Sequence, residues 1–393
     1  MAFPIAKALH KQGVRVYSGV STASNYLEWS RFLSGSFQHP STDLGTDEAL
    51  PFFLNWLDQH RDIDAIQPVS ESTSRMISRH RDTFERHAAL IMPAPQTLET
   101  CYNKAEMFRL CTDLDVPLAP YAIVRSKQDL MTATERIGFP LIVKPSTVDA
   151  ELFGRKAVIA HASEALEAVF TDWPDLHPEL IVQQYVSGPR HSVIFSATNG
   201  RLLKAAQAAA LRTHEDDGTG YTTLGETVTA HPVVKEATEK LVRHLNYSST
   251  GCAQFIIDPK TDRITFMELN PRTSLARVAE MAGVDHSITG LKLALGERMV
   301  PLTDPWTTKI GVRYAWTKGD LMRIKRGMRS GDKSLASALV DIYRVGADAL
   351  RAHHAIFDPV DPMPAIGTYS HFALKRFRRR THQWLTDPSL AIG

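Results

Sequence analysis

The chain has 393 residues, 43% of them hydrophobic and 22% charged, enough to bury a large core across two or three domains or subdomains of a soluble globular protein. A net charge of +2 gives no whole-molecule pull toward nucleic acid, and no apolar run approaches membrane-spanning length. Cys101, Cys111 and Cys252 have no metal-ligand spacing and cannot all pair, so a reducing, cytoplasmic compartment is expected.

Ile5 to Gln12 reads as a helix closed by Gly13, and Val14 to Tyr17 as a strand. This is the second half of a βαβ unit without its first strand and Gly-rich turn. The expectation is a trimmed first domain or a start codon upstream. Thr46–His60, Ser72–Arg86 and Thr97–Leu114 read as helices, with strands at Ile63–Val69 and Ala88–Met92. Strands alternating with helices imply a parallel sheet covered by helices. No G-x-G-x-x-G is present, so a dinucleotide site is not supported. Glu71, Ser72 and Thr73 follow the strand end at Val69, where open α/β sheets hold ligands. Ser70 or Ser72 also suits a helix N-cap, the reading preferred for Ser72, while Glu71 stays open.

Lys104, in Asn103-Lys104-Ala105-Glu106, reads by itself as a solvated helix charge. Gly138 to Ser146, GFPLIVKPS, is a strand with Lys144 at its exit. Among apolar residues that lysine needs an anion, unless it snorkels to solvent. Thr147 to Lys156 holds one glycine, Gly154. Leu180 to Gly188, LIVQQYVSG, is a strand running into a turn. Val193–Ala197 and Leu202–Ala210 form a hairpin around Asn199-Gly200. Arg212 and His214 follow it, then a solvated loop at 216–220. Thr229 to Leu245 is a helix.

Gly251 to Arg272, GCAQFIIDPKTDRITFMELNPR, is a second hairpin. Its apolar runs, Phe255-Ile256-Ile257 and Ile264 to Met267, flank a turn rich in Asp, Pro and Thr. Gln254 lies on the first strand, and Glu268 and Asn270 on the second, two apart and so on one face. Carboxylate and amide oxygens meeting from both strands suit Mg²⁺ held with phosphates. Arg272 follows as a phosphate-pairing cation.

The hairpin resembles the metal-binding hairpin of the ATP-grasp superfamily, most closely its carbamoyl-phosphate synthetase and biotin carboxylase branch. A Glu or Gln on one strand there pairs with Glu-x-Asn-x-Arg on the next. The resemblance extends more weakly over the first three quarters of the chain. It implies an ATP-grasp fold, α/β and α+β, with a truncated Rossmann-like domain over 1–95 and an ATP-grasp domain over 96–300. A lid subdomain would cover about 121–188, and a basic C-terminal region 301–393. It also implies ATP with Mg²⁺ or Mn²⁺, the metal on Gln254, Glu268 and Asn270. Lys104 and Lys144 would reach nucleotide phosphate, and Gln183, Gln184, Tyr185 and Val186 would form the adenine hinge. His191, in Pro189-Arg190-His191, reads either as a nucleotide contact or as an ordinary strand-edge histidine. Arg212, with Lys144 and Arg272, would act near phosphate or substrate. The Gly-poor stretch 147–156 departs from the family's Gly-rich loop; Ser146, Thr147, Arg155 and Lys156 would substitute, or activity would be reduced.

Two positions withhold the substrate. Biotin carboxylases place a Glu four residues after the Arg, where Ala276 stands here. Carbamoyl-phosphate synthetases place an Arg three residues after it, where Leu275 stands. From Pro301 onward, 15 Lys and Arg face 8 Asp and no Glu, clustered at Leu321–Arg329 and Lys375–Arg380. Little aromatic interleaving accompanies them, so solvated faces or acidic-substrate contacts are expected rather than nucleic acid. The resemblance implies a ligase that activates a small carboxylate as an acylphosphate for attack by an amine, commonly as a homodimer. The alternatives are a phosphotransferase or carboxylating enzyme of the same fold, or a nucleotide binder with little turnover.

Overall fold

The structure, a computed structural model, describes residues 2–21, 26–42, 46–147, 152, 157–166, 179–216, 218 and 220–371. Most of the 147–156 loop, including Arg155 and Lys156, lies outside them, as does the Lys375–Arg380 cluster.

Helix α1 (Ala2–His10) turns through Gly13, at φ 79°, into β1 (Tyr17–Val20), which pairs in parallel with β2 (Gly35–Gln38). Helix α2 (Leu50–Gln59) starts later than the periodicity suggests, because Pro51 fits the helix's opening positions. A second parallel pair joins β3 (Ala65–Ile66) to β4 (Ala89–Leu90). The expected single helix after β3 is two, α3 (Glu71–Arg79) and α4 (Arg81–Glu85), broken at His80, whose φ of −112° is not helical. Ser70 caps α3 by accepting from Thr73 N at 3.1 Å; Ser72 instead bonds sideways to the hydroxyls of Thr42 and Ser70. The next expected helix also divides. α5 (Pro95–Tyr102) ends at Asn103, whose side chain accepts from Glu106 N and so opens α6 (Lys104–Asp113). That break makes Lys104 the first residue of a helix, not a mid-helix surface charge.

A four-stranded antiparallel sheet follows, in the order β5 (Tyr121–Val124), β8 (Leu180–Gln184), β6 (Leu141–Pro145), β7 (Val158–Ala160). Helix α7 (Lys127–Ile137), capped by Ser126, packs Leu130 and Ala133 onto Val143 and Val182. β8 is central, which accounts for its unbroken Leu180-Ile181-Val182 run.

The large sheet has seven strands. β9 (Arg190–Thr198) and β10 (Arg201–Thr213) are joined by Asn199 and Gly200, both at positive φ, the geometry of a primed two-residue turn. β11 (Thr222–Val228), β12 (Ser249–Ile257), β13 (Ile264–Asn270), β14 (Arg313–Ala315) and β15 (His353–His354) complete the order β13-β12-β9-β10-β11-β14-β15. One face is covered by α6 and α8 (Pro232–His244), through Phe108, Val234 and Leu241 against Phe195, Phe255 and Phe266. The other face receives Val278 and Ala279 of α9 (Ala276–Ala282), followed by α10 (His286–Ala294). The outer edge of β13 is closed by the Val116–Pro120 segment: Phe266 N donates to Pro117 O, and Ala119 N to Thr265 Oγ1. Helices α11 (Thr317–Ser330) and α12 (Leu335–Ala349) lie beside β10 and β11, and a buried Asp358 pairs with Lys7 and Arg277. Among the described residues no helix is long and apolar enough to cross a membrane.

Candidate active site

The hairpin register sets Gln254 directly opposite Glu268, and Cys252 opposite Asn270. Directly opposed residues share a face, as do residues two apart, so all three oxygen-donor side chains project together. Asn270 Nδ2 donates to Glu268 Oε1 at 2.8 Å. That bond turns Asn270 Oδ1 away from the carboxylate, free to face a cation. A bulge between Gln254 and Phe255 marks the point where the polar face gives way to the apolar run. Among the described residues no group of three His, Cys, Asp or Glu side chains forms a metal cage. One carboxylate and two amides suit a hard cation that takes its remaining oxygens from a phosphate.

Two lysines from other elements lie close to one another, and one of them feels the hairpin's Glu268. Lys144, on β6, is buried, lies 4.6 Å from the Phe108 ring centroid, and donates to Gln183 Oε1 at 3.1 Å. Burial pushes its ammonium down to about 7, the nearby Lys104 adds to that, and Glu268 works against it. Lys104 is buried as well, its amide donating to Ser146 O at 2.8 Å where β6 ends. Among the described residues, Glu268 is the carboxylate that favours the Lys144 charge, and burial outweighs it, a deficit of negative charge around that ammonium. Gln183 shows the same deficit: with its oxygen taken by Lys144, its Nε2 is buried without a hydrogen-bond partner. These groups fit a polyphosphate.

The end of β8 approaches the hairpin closely. Gln184 N donates to Pro120 O, and Tyr185 N to Pro140 O, which fixes the strand exit and hands the chain to Val186. At Gly188 a Cβ would lie 2.2 Å from Ile257 O, so only glycine lets this turn rest on the end of β12. The turn that follows Val186 thereby rests against the end of the strand that carries Gln254.

His191 is placed differently. It is registered against Phe255, one residue from the Ser192–Gln254 pair, and so leaves β9 on the other face. Gln207 Oε1 accepts from His231 N, which leaves Gln207 Nε2 to donate to His191 Nδ1 at 2.8 Å and puts the ring proton on Nε2. Burial, then His231, holds the imidazole down to about 4, so it is neutral at ordinary pH.

Arg212 pairs with carboxylates of the C-terminal helices. Its Nε and Nη2 clasp Asp320 at 2.7 and 2.8 Å, and Nη1 bonds Asp348 at 2.7 Å. Burial disfavours its charge, but the two carboxylates outweigh that and raise its pKa. This is the geometry of an anchor for α11 and α12. On the same helix, Arg323 and Arg326 pair with Asp216 and Glu215, so much of the basic C-terminal face is spoken for.

Beyond β3, sequence reasoning left Glu71 open as a ligand contact but did not name the polar cluster around it. Arg75 stacks 4.6 Å from the Tyr102 ring and lies 3.6 Å from Glu71. Burial lifts the Tyr102 hydroxyl to about 12, and Glu71, Arg272 and Arg75 all act on it. Gln67 Nε2 donates to Thr273 Oγ1 at 2.8 Å, joining the β3 end to the residue after Arg272. The available signal was the i,i+4 spacing of Glu71 and Arg75 at a strand's C-terminal end.

Residues 103–301 match the family model described as carbamoyl-phosphate synthase L chain, ATP binding domain. The chain is 22% identical over 276 residues to the arginine-specific carbamoyl phosphate synthase large chain of Cutaneotrichosporon cutaneum, covering 65% of this chain and 23% of that protein. It spans about a fifth of the length of such curated relatives. Two solved structures are similar in fold. The biotin carboxylase–β,γ-ATP complex from Campylobacter jejuni superposes with a TM-score of 0.61 at 17% identity, over 79% of this chain and 72% of that one. The biotin carboxylase domain dimer of Hydrogenobacter thermophilus 2-oxoglutarate carboxylase, in complex with MgADP, ADP and bicarbonate, gives 0.58 at 17%, over 79% and 70%.

Proposed function

Because the chain belongs to the carbamoyl-phosphate synthase L chain ATP-binding family, we propose that it is an ATP- and Mg²⁺-dependent ligase joining a small carboxylate to an amine. The observation that carries this is Lys144, a buried lysine with its pKa drawn down to about 7, set between Gln183 and the Glu268 hairpin. A group so placed is poorly accommodated until an anion arrives. Lys104 and Lys144 hold the phosphates, Gln183 donates its remaining amide proton, and the turn after Tyr185 receives the base. Gln254, Glu268 and Asn270 would hold the metal, which would supply charge neutralisation to the phosphates. MgADP in the 2-oxoglutarate carboxylase domain and β,γ-ATP in the Campylobacter enzyme are the corresponding ligands of proteins with this fold.

In the reaction, a carboxylate oxygen attacks the γ-phosphorus and the bond to ADP breaks. The amine then attacks the acyl carbon, phosphate leaves, and the amine's proton is lost. Lys144 and Arg272 stabilise the charge that develops on the transferring group, by position and electrostatics. We place the acid beside Arg75 and Arg272, with Glu71 facing the amine. Carboxylation is disfavoured by Ala276, which is buried against Ile5 and Leu9 of α1 and leaves no acid at that position. An ATP-grasp domain over 96–300 with a lid over about 121–188 is part of the same proposal, as is a homodimer.

Calorimetric titration with Mg-ATP, followed by ADP release screened across amino acids and small carboxylic acids, tests the reading. Saturable binding and substrate-dependent ADP release in wild type, both lost in Glu268→Ala, are expected. ATP turnover unaffected by Glu268→Ala and Lys144→Ala would refute the site.

A further inference from the structure

Helix α12 packs its inner face, through Ala338 and Val345, onto Ile324 of α11. Its polar sector is narrow and engaged: Asp341 pairs with Lys333 and Arg323, and Asp348 with Arg212. Much of what is left is apolar. At 3.6 residues per turn, Leu335, Leu339, Ile342, Tyr343 and Leu350 fall on one stripe about 100° wide. All five are exposed, Tyr343 to 77% and Leu350 to 91%, and Val340 widens the stripe. A helix that is apolar on two faces is normally covered on both. Among the described residues α12 is covered on one.

The extent of the stripe sets it apart from scattered apolar residues. With about 200 Å² for a fully exposed large side chain, the six leave roughly 800 Å² open. The largest apolar patch of a typical monomer is about 300–600 Å², whereas each partner in a stable dimer contributes about 800 Å².

Gly346 lies within the stripe, and nothing inside the chain requires it. A Cβ there would meet no atom within 4 Å, and its φ is not positive, so in mid-helix it only weakens α12. Glycine does permit a second backbone to come close. Against an antiparallel copy of itself, with the twofold axis between Ile342 and Tyr343, the stripe is self-complementary. Leu335 faces Leu350 of the partner subunit, and Leu339 faces Gly346 of the partner subunit, large against small. A twofold contact requires such a match, because one patch must meet itself. A lipid surface fits less well: it favours Lys and Arg along the polar sector, where Asp341 and Asp348 here flank a single Arg344.

We infer that the exposed face of α12 is a dimer surface whose occupant is α12 of a second copy of this chain. The two helices run antiparallel, each Leu339 seated on Gly346 of the partner subunit. This face supplies the contact for the homodimer of the proposed ligase, and rests on that reading for the number of copies.

Sedimentation equilibrium on the 1–393 chain and its variants, with Mg-ATP titration of each, tests the pairing. The wild type is expected at twice the chain mass at about 10 µM. Leu339→Lys and Gly346→Glu are each expected to raise the dimer dissociation constant by about a hundredfold or more, with Mg-ATP affinity unchanged. Mixing the two variants is expected to restore a dimer, because the introduced ammonium then faces the introduced carboxylate across the axis. Dimers that persist in both variants would overturn this surface and leave the homodimer standing elsewhere. A mixture that stays monomeric would overturn the antiparallel pairing. A monomeric wild type would overturn the second copy as occupant. Slow maleimide labelling of Tyr343→Cys in that monomer would then give the face to residues 372–393 of the same chain, and co-sedimentation with anionic vesicles would give it to lipid. The ligase reading itself falls only with the loss of Mg-ATP binding in the wild type.

Discussion

Lys144 makes ATP affinity depend on pH in a way that can be worked out beforehand. Without nucleotide its pKa is about 7, against an ordinary 10.5, because burial disfavours the charge and Lys104 opposes it. Phosphate oxygens favour the ammonium, so the protonated form binds. Affinity is then level below pH 7 and falls as pH rises through 7 toward the higher pKa of the complex. For a single group of pKa 7 the charged fraction is about 0.9 at pH 6 and about 0.1 at pH 8, a loss in affinity of about tenfold. Close to half a proton is taken up per nucleotide at pH 7. Calorimetry in two buffers of different ionisation enthalpy measures both quantities. Lys144→Arg is the control, because a guanidinium stays charged across this range and removes the titration. A wild-type affinity that is flat from pH 6 to 8, or one whose slope persists in Lys144→Arg, would refute the reasoning.

The same group sets a stability prediction. Its folded pKa lies below its unfolded one, so the cost is full below pH 7 and is relieved as pH rises toward 10.5. Lys144→Met should therefore stabilise the nucleotide-free protein near neutral pH by up to about 4 kcal/mol in urea titrations, while abolishing ATP binding. Arg212→Ala takes both close guanidinium bonds from Asp320, which is 0% exposed and keeps only Arg323 at 3.9 Å among the described residues, and should cost about 3–5 kcal/mol, with Asp320→Leu restoring part of it. An Arg212→Ala protein of normal stability but no activity would return Arg212 to the chemistry. Glu268→Gln should weaken Mg²⁺-dependent ATP binding by about 10- to 100-fold, measured by titrating Mg²⁺ at fixed ATP. Gly188→Ala should separate the β8 exit from Ile257 O, lowering thermal stability and nucleotide affinity together.

The contrast between Lys144 and Arg212 shows what sequence carries here and what it does not. Lys144 was legible because its surroundings are local: the apolar run Leu141-Ile142-Val143 leaves a strand-borne lysine in need of an anion, and Lys144 is buried beside Gln183 as that pattern requires. The hairpin was legible for the same reason, since Gln254 and Glu268 lie 14 residues apart and their register follows from one turn. Arg212 has equally suggestive chemistry, but its partners lie 108 and 136 residues away on helices whose packing no short pattern encodes. Helix breaks at His80 and Asn103 were missed because apolar periodicity continues across them, while a single residue's side chain or dihedral decides the boundary.

The substrate end follows the same logic. Leu275 sits at φ 50° and Ala276 is 2% exposed against α1, so the two positions that depart from the carboxylase and synthetase patterns are parts of a packed turn. A charged side chain introduced at Ala276 would be buried against Ile5 and Leu9. Ala276→Glu is accordingly expected to destabilise the protein by more than about 2 kcal/mol in urea titration and to confer no bicarbonate-dependent ADP release. A stable Ala276→Glu protein with bicarbonate-dependent turnover would mean that one residue separates this chain from the carboxylases, and would move the acid's place from the Arg75–Glu71 cluster to the turn after Arg272.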